Sequence, residues 1–152
     1  MIEVVRSGQV DASPERVWHV VSHPERAPEW LSFADNVEVI SGSGCGQRLR
    51  QYGQWGKHRS EIDQEIIEYR RPLVVSWKHL AERLDGRPAP RFAASTVFRI
   101  ELEPAGDGTL VRLRSTQEPA SAVRGLLIKL FGRKEVAQGM ERSLARLAQV
   151  LR

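Results

Sequence analysis

Cysteine is almost missing from this chain, with Cys45 its single thiol among 152 residues. That excludes an internal disulfide and a zinc cage built from thiolates, and it fits a reducing compartment. No apolar run approaches the ~20 residues needed to span a bilayer. Met1-Ile-Glu-Val-Val-Arg6 lacks the basic start and apolar stretch of a secretory leader, so the expected location is the cytoplasm. The four histidines, His19, His23, His58 and His79, form no H-E-x-x-H motif, and no metal is implied. No glycine-rich loop joins a strand to a helix, so there is no nucleotide-phosphate motif. Internal repeats, low-complexity segments and linkers are also absent, which points to one domain over residues 1–152.

What is present is ordinary in amount. Hydrophobic residues make up 41% of the chain and charged residues 28%, the balance of a folded globular protein. The formal charge is +4, from 23 bases and 19 acids. Basic residues never run longer than two or three, and they are not interleaved with aromatics. Nucleic acid is therefore not an expected partner.

Punctuation and periodicity give the order of elements. Glu3–Val10 reads as a strand. Ala12–Ser22 reads as a helix, with Ser13 as its cap and Pro14 at its first position. His23–Leu31 reads as a second short helix opened by Pro24 and distorted by Pro28. Six strands come next with short connections: Asn36–Ile40, Gln47–Gln54, Lys57–Tyr69, Leu73–Leu80, Phe92–Glu103 and Thr109–Gln117. Such a series is an antiparallel meander. Alternation puts Ile62, Gln64 and Ile66 on one face, with Val75, Trp77 and His79, with Phe92, Thr96, Phe98 and Ile100, and with Val111 and Leu113. Glu61, Asp63 and Glu65 fall on the other face, where they are expected to be solvated and to pair across strands with Arg48, Arg50, Arg112 or Arg114.

Ser121–Leu151 carries apolar residues at three- and four-residue spacing, from Val123, Leu126, Leu127 and Leu130 to Met140, Leu144, Leu147 and Leu151. This is a long amphipathic helix that should cover the apolar face of the sheet. Gly125, Gly132 and Gly139 lie seven apart, on the side opposite Val123, Leu127 and Leu130, and are expected to face solvent. The apolar stripe also shifts by about a quarter turn between the two halves, which predicts a kink or break near Gly132.

Three motifs carry a resemblance. Ala12-Ser-Pro-Glu-Arg-Val-Trp18 is similar to an A-x-x-E-x-V-[WF] opening. His23-Pro-Glu-Arg-Ala-Pro-Glu-Trp30 is similar to a D-x-E-x-x-P-x-W continuation, with histidine in place of the acid. Gly106-Asp-Gly-Thr-Leu-Val111 is similar to a G-D-G-T-x-V turn before a last strand. In this order, over essentially the whole chain, they resemble the START-like superfamily, and within it the polyketide cyclase/dehydrase-like SRPBCC proteins. The resemblance implies an α+β helix-grip fold, β-α-α-β6-α, with a curved antiparallel sheet wrapped around a long C-terminal helix. It also implies a deep cavity between sheet and helix for a lipid, polyketide or other small hydrophobic molecule.

In such a cavity, ligand-binding candidates are those of inward parity: Gln51, Trp55, Ile62, Gln64, Trp77, His79, Phe92, Thr96 and Phe98, with Leu127, Leu130 and Phe131 from the helix. His58 and His79 are the candidates for acid–base catalysis, since imidazole titrates near neutrality. No cofactor is implied. Three functions stay open: a carrier or sensor of a hydrophobic ligand, a cyclase/dehydrase-type enzyme, and a protein- or RNA-interaction module without a ligand. The oligomeric state is not legible in the sequence.

Overall fold

Capping residues set the first elements where the sequence places them. In the computed structural model, which describes residues 1–152, β1 (Ile2–Val10) leads into α1 (Pro14–Val21). Ser13 is extended, and its hydroxyl accepts the Arg16 N–H at 3.3 Å. Val17, Trp18, Val20 and Val21 of this helix are buried. The second helix is divided, with a 3₁₀ turn at Pro24–Arg26 and then α2 (Ala27–Trp30). Pro28 has no N–H to give to the carbonyl four residues back, so one continuous ladder cannot run through it. Trp18 and Trp30 are both almost wholly buried and close one end of the core.

The sheet is antiparallel throughout. Its strands are β2 (Asn36–Ser41), β3 (Arg48–Trp55), β4 (His58–Arg70), β5 (Val74–Leu84), β6 (Arg87–Pro88), β7 (Ala93–Ala105) and β8 (Gly108–Pro119). The spatial order is β1-β8-β7-β5-β4-β3-β2, with β6 as a two-residue addition on β5. The six expected strands are all present. β6, in the proline-containing loop, is the one strand that the alternation did not reveal.

The sheet splits at one end. β5 pairs with β7 only from Val74–Lys78, against Glu101–Val97. Beyond Lys78, β5 stays with β4 as far as Leu84 opposite Ser60, while β7 continues with β8. A bulge at Leu80 marks the departure, because Gln64 faces His79 whereas Asp63 faces Ala81. Charges on the outer face hold the departing half of β5 to β4. Arg83 donates to Glu61 at 3.1 Å and to Asp63 at 3.0 Å, and Arg50 donates to Asp63 at 2.8 Å. Arg48 and Lys78 flank Glu65. Glu61, Asp63 and Glu65 are thus paired across strands, Asp63 and Glu65 with the expected Arg50 and Arg48. Arg83 takes the part expected of Arg112 or Arg114, and Arg114 instead meets Glu3 and Glu101.

The C-terminal helix runs as α3 (Ala122–Leu127), a π segment (Ile128–Gly132) and α4 (Arg133–Val150). A π turn inserts one residue and rotates the next part of the helix by about 100°. This is the quarter-turn shift of the apolar stripe, and the irregularity falls where it was expected, at Gly132. The facing of the first half is the reverse of the expectation. Gly125 and Gly139 are buried, whereas Val123, Leu126, Leu127, Leu130 and Phe131 are exposed.

Close approach accounts for the two buried glycines. A Cβ at Gly139 would lie 2.4 Å from the Phe33 ring, and one at Gly125 would lie 3.0 Å from Pro119. The Phe33 ring sits edge-on to Phe98 with centroids 6.2 Å apart, and a Cβ at Gly53 would lie 2.5 Å from the Phe33 carbonyl. The helix can therefore settle over Phe33 only through its glycine side. Ser32 ties the same loop to α4, as its hydroxyl donates to the Gly139 carbonyl at 2.8 Å and its N–H donates to Ser143 Oγ at 2.9 Å.

The helix glycines should respond differently to a side chain. Gly139→Ala should destabilise the protein by about 1–3 kcal/mol through overpacking against Phe33. Gly132→Ala, whose Cβ would find only Ile128 at 3.9 Å, should be neutral or stabilise by up to about 1 kcal/mol. Urea unfolding of the two variants checks the contrast. A separate expectation concerns Asp63, whose pKa the Arg83 and Arg50 hydrogen bonds hold at about 2, below its ordinary 3.8. A carboxyl lowered on folding contributes stability that is present above its unfolded pKa and is lost as pH falls through about 2. Asp63→Asn should therefore cost about 1 kcal/mol at neutral pH. Its deficit relative to wild type should vanish as urea melts are taken down to the folded pKa of about 2.

Candidate functional site

Two hollows take in side chains of the expected site, and they differ in size and chemistry. The first is a small pocket of about 40 Å³ between the sheet and the short helices, lined by Trp30, Leu31, Leu49, Gln51, Gln64 and Trp77 among others. It is large enough for a water or two and no more. The deep cavity expected between sheet and long helix is thus reduced to this remnant. Phe33 enters from the loop after α2, and Trp77 stacks on Phe98 with centroids 5.1 Å apart. The two buried glutamines satisfy one another. Gln64 Nε2 donates to Gln51 Oε1 at 3.2 Å, and Gln51 Nε2 donates to the Phe33 carbonyl at 3.4 Å.

The second space is an open cleft of about 250 Å³ where β5 and β7 part. Its walls are His79, Leu80, Ala81 and Glu82 from β5, Pro88 from β6, Ala89 and Arg91 from the loop after it, and Ala93 to Thr96 from β7. The small side chains of Ala81, Ala89, Ala93 and Ala94 leave the room. The polar groups are His79, Glu82, Arg91, Ser95 and Thr96. His79 Nδ1 lies 2.8 Å from Glu82 Oε1, and the His79 side chain is only 18% exposed. The imidazole hydrogen bond holds the Glu82 carboxyl below the usual carboxylate range, against the opposing effect of burial, and Arg91 adds a smaller attraction. A histidine steered by a carboxylate is competent for acid–base work and for hydrogen-bonding an oxygen of a ligand.

His58 has a carboxylate of its own at the tip of the same end. Its Nδ1 lies 2.7 Å from Asp85 Oδ2, and Asp85 Oδ1 accepts the Arg59 N–H at 2.9 Å. These bonds hold the Asp85 carboxyl below its ordinary range. Both side chains are half-exposed, and His58 is not among the cleft residues.

The structure therefore sorts the expected site residues into three groups. His79 and Thr96 line the cleft. Gln51, Gln64 and Trp77 line the small pocket, with Phe98 packed beside it and Ile62 half-buried near by. Trp55, Phe92, Leu127, Leu130 and Phe131 are exposed. Trp55 sits at the β3–β4 turn opposite His58. For Phe92 the reason is a bulge in β7 between Ala93 and Ser95, which reverses the parity of everything before it. Its ring lies under the Arg124 guanidinium at 5.9 Å.

Glu82 and Arg91 were missed, for a definite reason in the case of Glu82. In a regular strand His79 and Glu82, three apart, point to opposite faces. The extra residue at Leu80 brings them to one face. His19 and His23 stand four residues apart, and their rings stack with centroids 5.6 Å apart. No set of three or more His, Cys, Asp or Glu side chains converges as a metal site.

Solved structures share this architecture. A START superfamily protein from Mycobacterium smegmatis superposes with a TM-score of 0.76 at 15% identity, over 98% of this chain and 96% of the other. The protein TTHA0849 from Thermus thermophilus gives 0.76 at 20% identity, over 97% and 95%. Ara h 8.0201 gives 0.72 at 12% identity, over 99% and 97%. At these identities the likeness concerns the helix-grip fold alone. The chain matches no curated protein. The family model described as polyketide cyclase / dehydrase and lipid transport matches residues 1–152, the full length, and the chain belongs to that family.

Proposed function

We propose that the chain acts as one domain that binds a small, largely apolar molecule carrying a polar or anionic group, as a carrier or sensor. The observation that carries this reading is the cleft of about 250 Å³ between β5 and β7. Its alanine-rich walls accept apolar atoms. His79 and Thr96 offer hydrogen bonds, and Arg91 offers a positive charge. The cleft is thus of mixed character, five polar side chains among eleven lining residues, which suits a ligand with both apolar and polar parts. The volume suits a ligand toward the small end of such sites, and the pocket beside Gln51 and Gln64 is too small to hold one.

A second reading is acid–base catalysis of the cyclase/dehydrase type. The His79–Glu82 pair supports it, because Nδ1 is engaged by the carboxylate and Nε2 is left for a substrate. An enolisable ketone seated in the cleft could then exchange a proton with that nitrogen.

Filling the cleft tests the first reading. Thr96→Trp should weaken binding of the fluorescent probe 1-anilinonaphthalene-8-sulfonate by about tenfold or more, equivalent to ~1.4 kcal/mol. The thermal midpoint should be unchanged, because Thr96 borders open space. Binding that survives this substitution would place the ligand elsewhere. Deuterium exchange next to the ketone of a 3-oxoacyl thioester distinguishes the second. A catalyst accelerates exchange and loses it with His79→Ala, whereas a carrier shows no acceleration with either protein.

A further inference from the structure

The exposed half of the C-terminal helix has a composition unlike the rest of the surface. Val123, Leu126, Leu127, Leu130 and Phe131 are between 38% and 70% exposed. They fall on one side of the helix, opposite the buried Gly125 and Ile128. Nothing else in the chain covers them. Contiguous apolar surface on two turns of helix is a docking feature rather than ordinary exposure.

The charge around it identifies the partner. Between Ala122 and Lys134 stand Arg124, Lys129, Arg133 and Lys134, all exposed, and no acid. Four of the chain's 23 bases lie here, which leaves 19 to balance its 19 acids. The formal charge of +4 is therefore matched by one short segment. Arg124 falls on one flank of the apolar side and Lys129 on the other, while Arg133 and Lys134, just past the π segment, are exposed. Long basic side chains in those positions can reach outward while the apolar side chains go deeper. A helix with an apolar side and basic flanks fits the boundary between headgroups and acyl chains of an anionic bilayer. No helix of the chain is long and apolar enough to cross a membrane.

We infer that Ala122–Lys134 is a membrane-surface docking element that inserts Leu126, Leu130 and Phe131 into an anionic phospholipid bilayer, with Arg124, Lys129, Arg133 and Lys134 on the headgroups. The inference is independent of what the cleft holds. The two are adjacent all the same, because Arg124 donates a hydrogen bond to the carbonyl of the cleft residue Arg91. Docking would hold the mouth of the cleft at the lipid surface.

Vesicle flotation with the full chain tests this. The protein should float with phosphatidylcholine vesicles containing about 30% phosphatidylglycerol and not with phosphatidylcholine alone. Raising salt to about 0.5 M should weaken the association, since screening is then nearly complete within a few ångströms. Two variants act on separate parts. Leu130→Ser with Phe131→Ser removes the insertion, and Lys129→Gln with Arg133→Gln and Lys134→Gln removes the attraction. Each should reduce the bound fraction about tenfold or more, as the loss of several basic contacts implies. All five side chains are exposed, and the charge variant leaves the apolar ones in place. Lys57→Gln with Arg59→Gln, exposed cations elsewhere, should bind like wild type. Failure to float with the anionic vesicles at low salt would overturn the proposal. So would equal binding by wild type and both docking variants. A dimer in light scattering that Leu130→Ser with Phe131→Ser dissolves, with no vesicle binding, would assign the face to a second copy instead.

Discussion

The Phe33 ring is the wedge on which the rest of this structure depends. It lies between the sheet, through Phe98, and the C-terminal helix, through the bare backbone at Gly139, while the Phe33 carbonyl closes on the backbone at Gly53. A side chain on the helix at that point would have no room. α4 must therefore present Gly139 inward, beside the buried Ala137, Met140 and Leu147. In α3 the inward position is Gly125, against Pro119, and there the leucines lie outside. The Phe33 wedge thus occupies the interior of the grip and fixes the facing of α4, while the Gly125–Pro119 approach accompanies an apolar strip of α3 left in water. The π segment offsets the two halves, so that Met140 and Leu147 are buried in α4 while the leucines before it are exposed.

With the centre filled, open volume is displaced to the end of the sheet where β5 leaves β7. That divergence is held from both sides. The Leu80 bulge changes the direction and parity of β5, and the Arg83–Asp63–Arg50 ladder binds its far half to β4. The same bulge that opens the cleft brings His79 and Glu82 to one face. Bulges recur next to functional sites because they re-aim side chains, and here the opening and the pair come from one inserted residue. The cleft mouth and the basic, apolar helix segment meet at Arg91 and Arg124. The proposed binding cleft and the proposed docking segment therefore lie at one end, and the buried tryptophans of α1 and α2 serve the core.

Much of this was legible in the chain. The caps at Ser13 and Pro14, the six alternating strands, the outward acids of β4 and the shift in the helical stripe all rest on interactions within a few residues, or on period alone. The histidines were legible as candidates too. Their carboxylates were not. Asp85 comes from a turn, and Glu82 comes through a bulge that alternation does not encode. The exposed Phe92 is the same lesson at the start of β7.

By itself the sequence determined the order of elements, the antiparallel meander and the side of the helix on which the glycines lie, because these rest on local steric and periodic rules. Only the tertiary structure decided which side of that helix faces inward and how much space remains beneath it. Periodicity defines two faces and cannot choose between them when one is apolar and the other is smooth. The choice came from two close approaches that period does not encode, Gly125 on Pro119 and Gly139 on the Phe33 ring, the latter brought from far away in the chain.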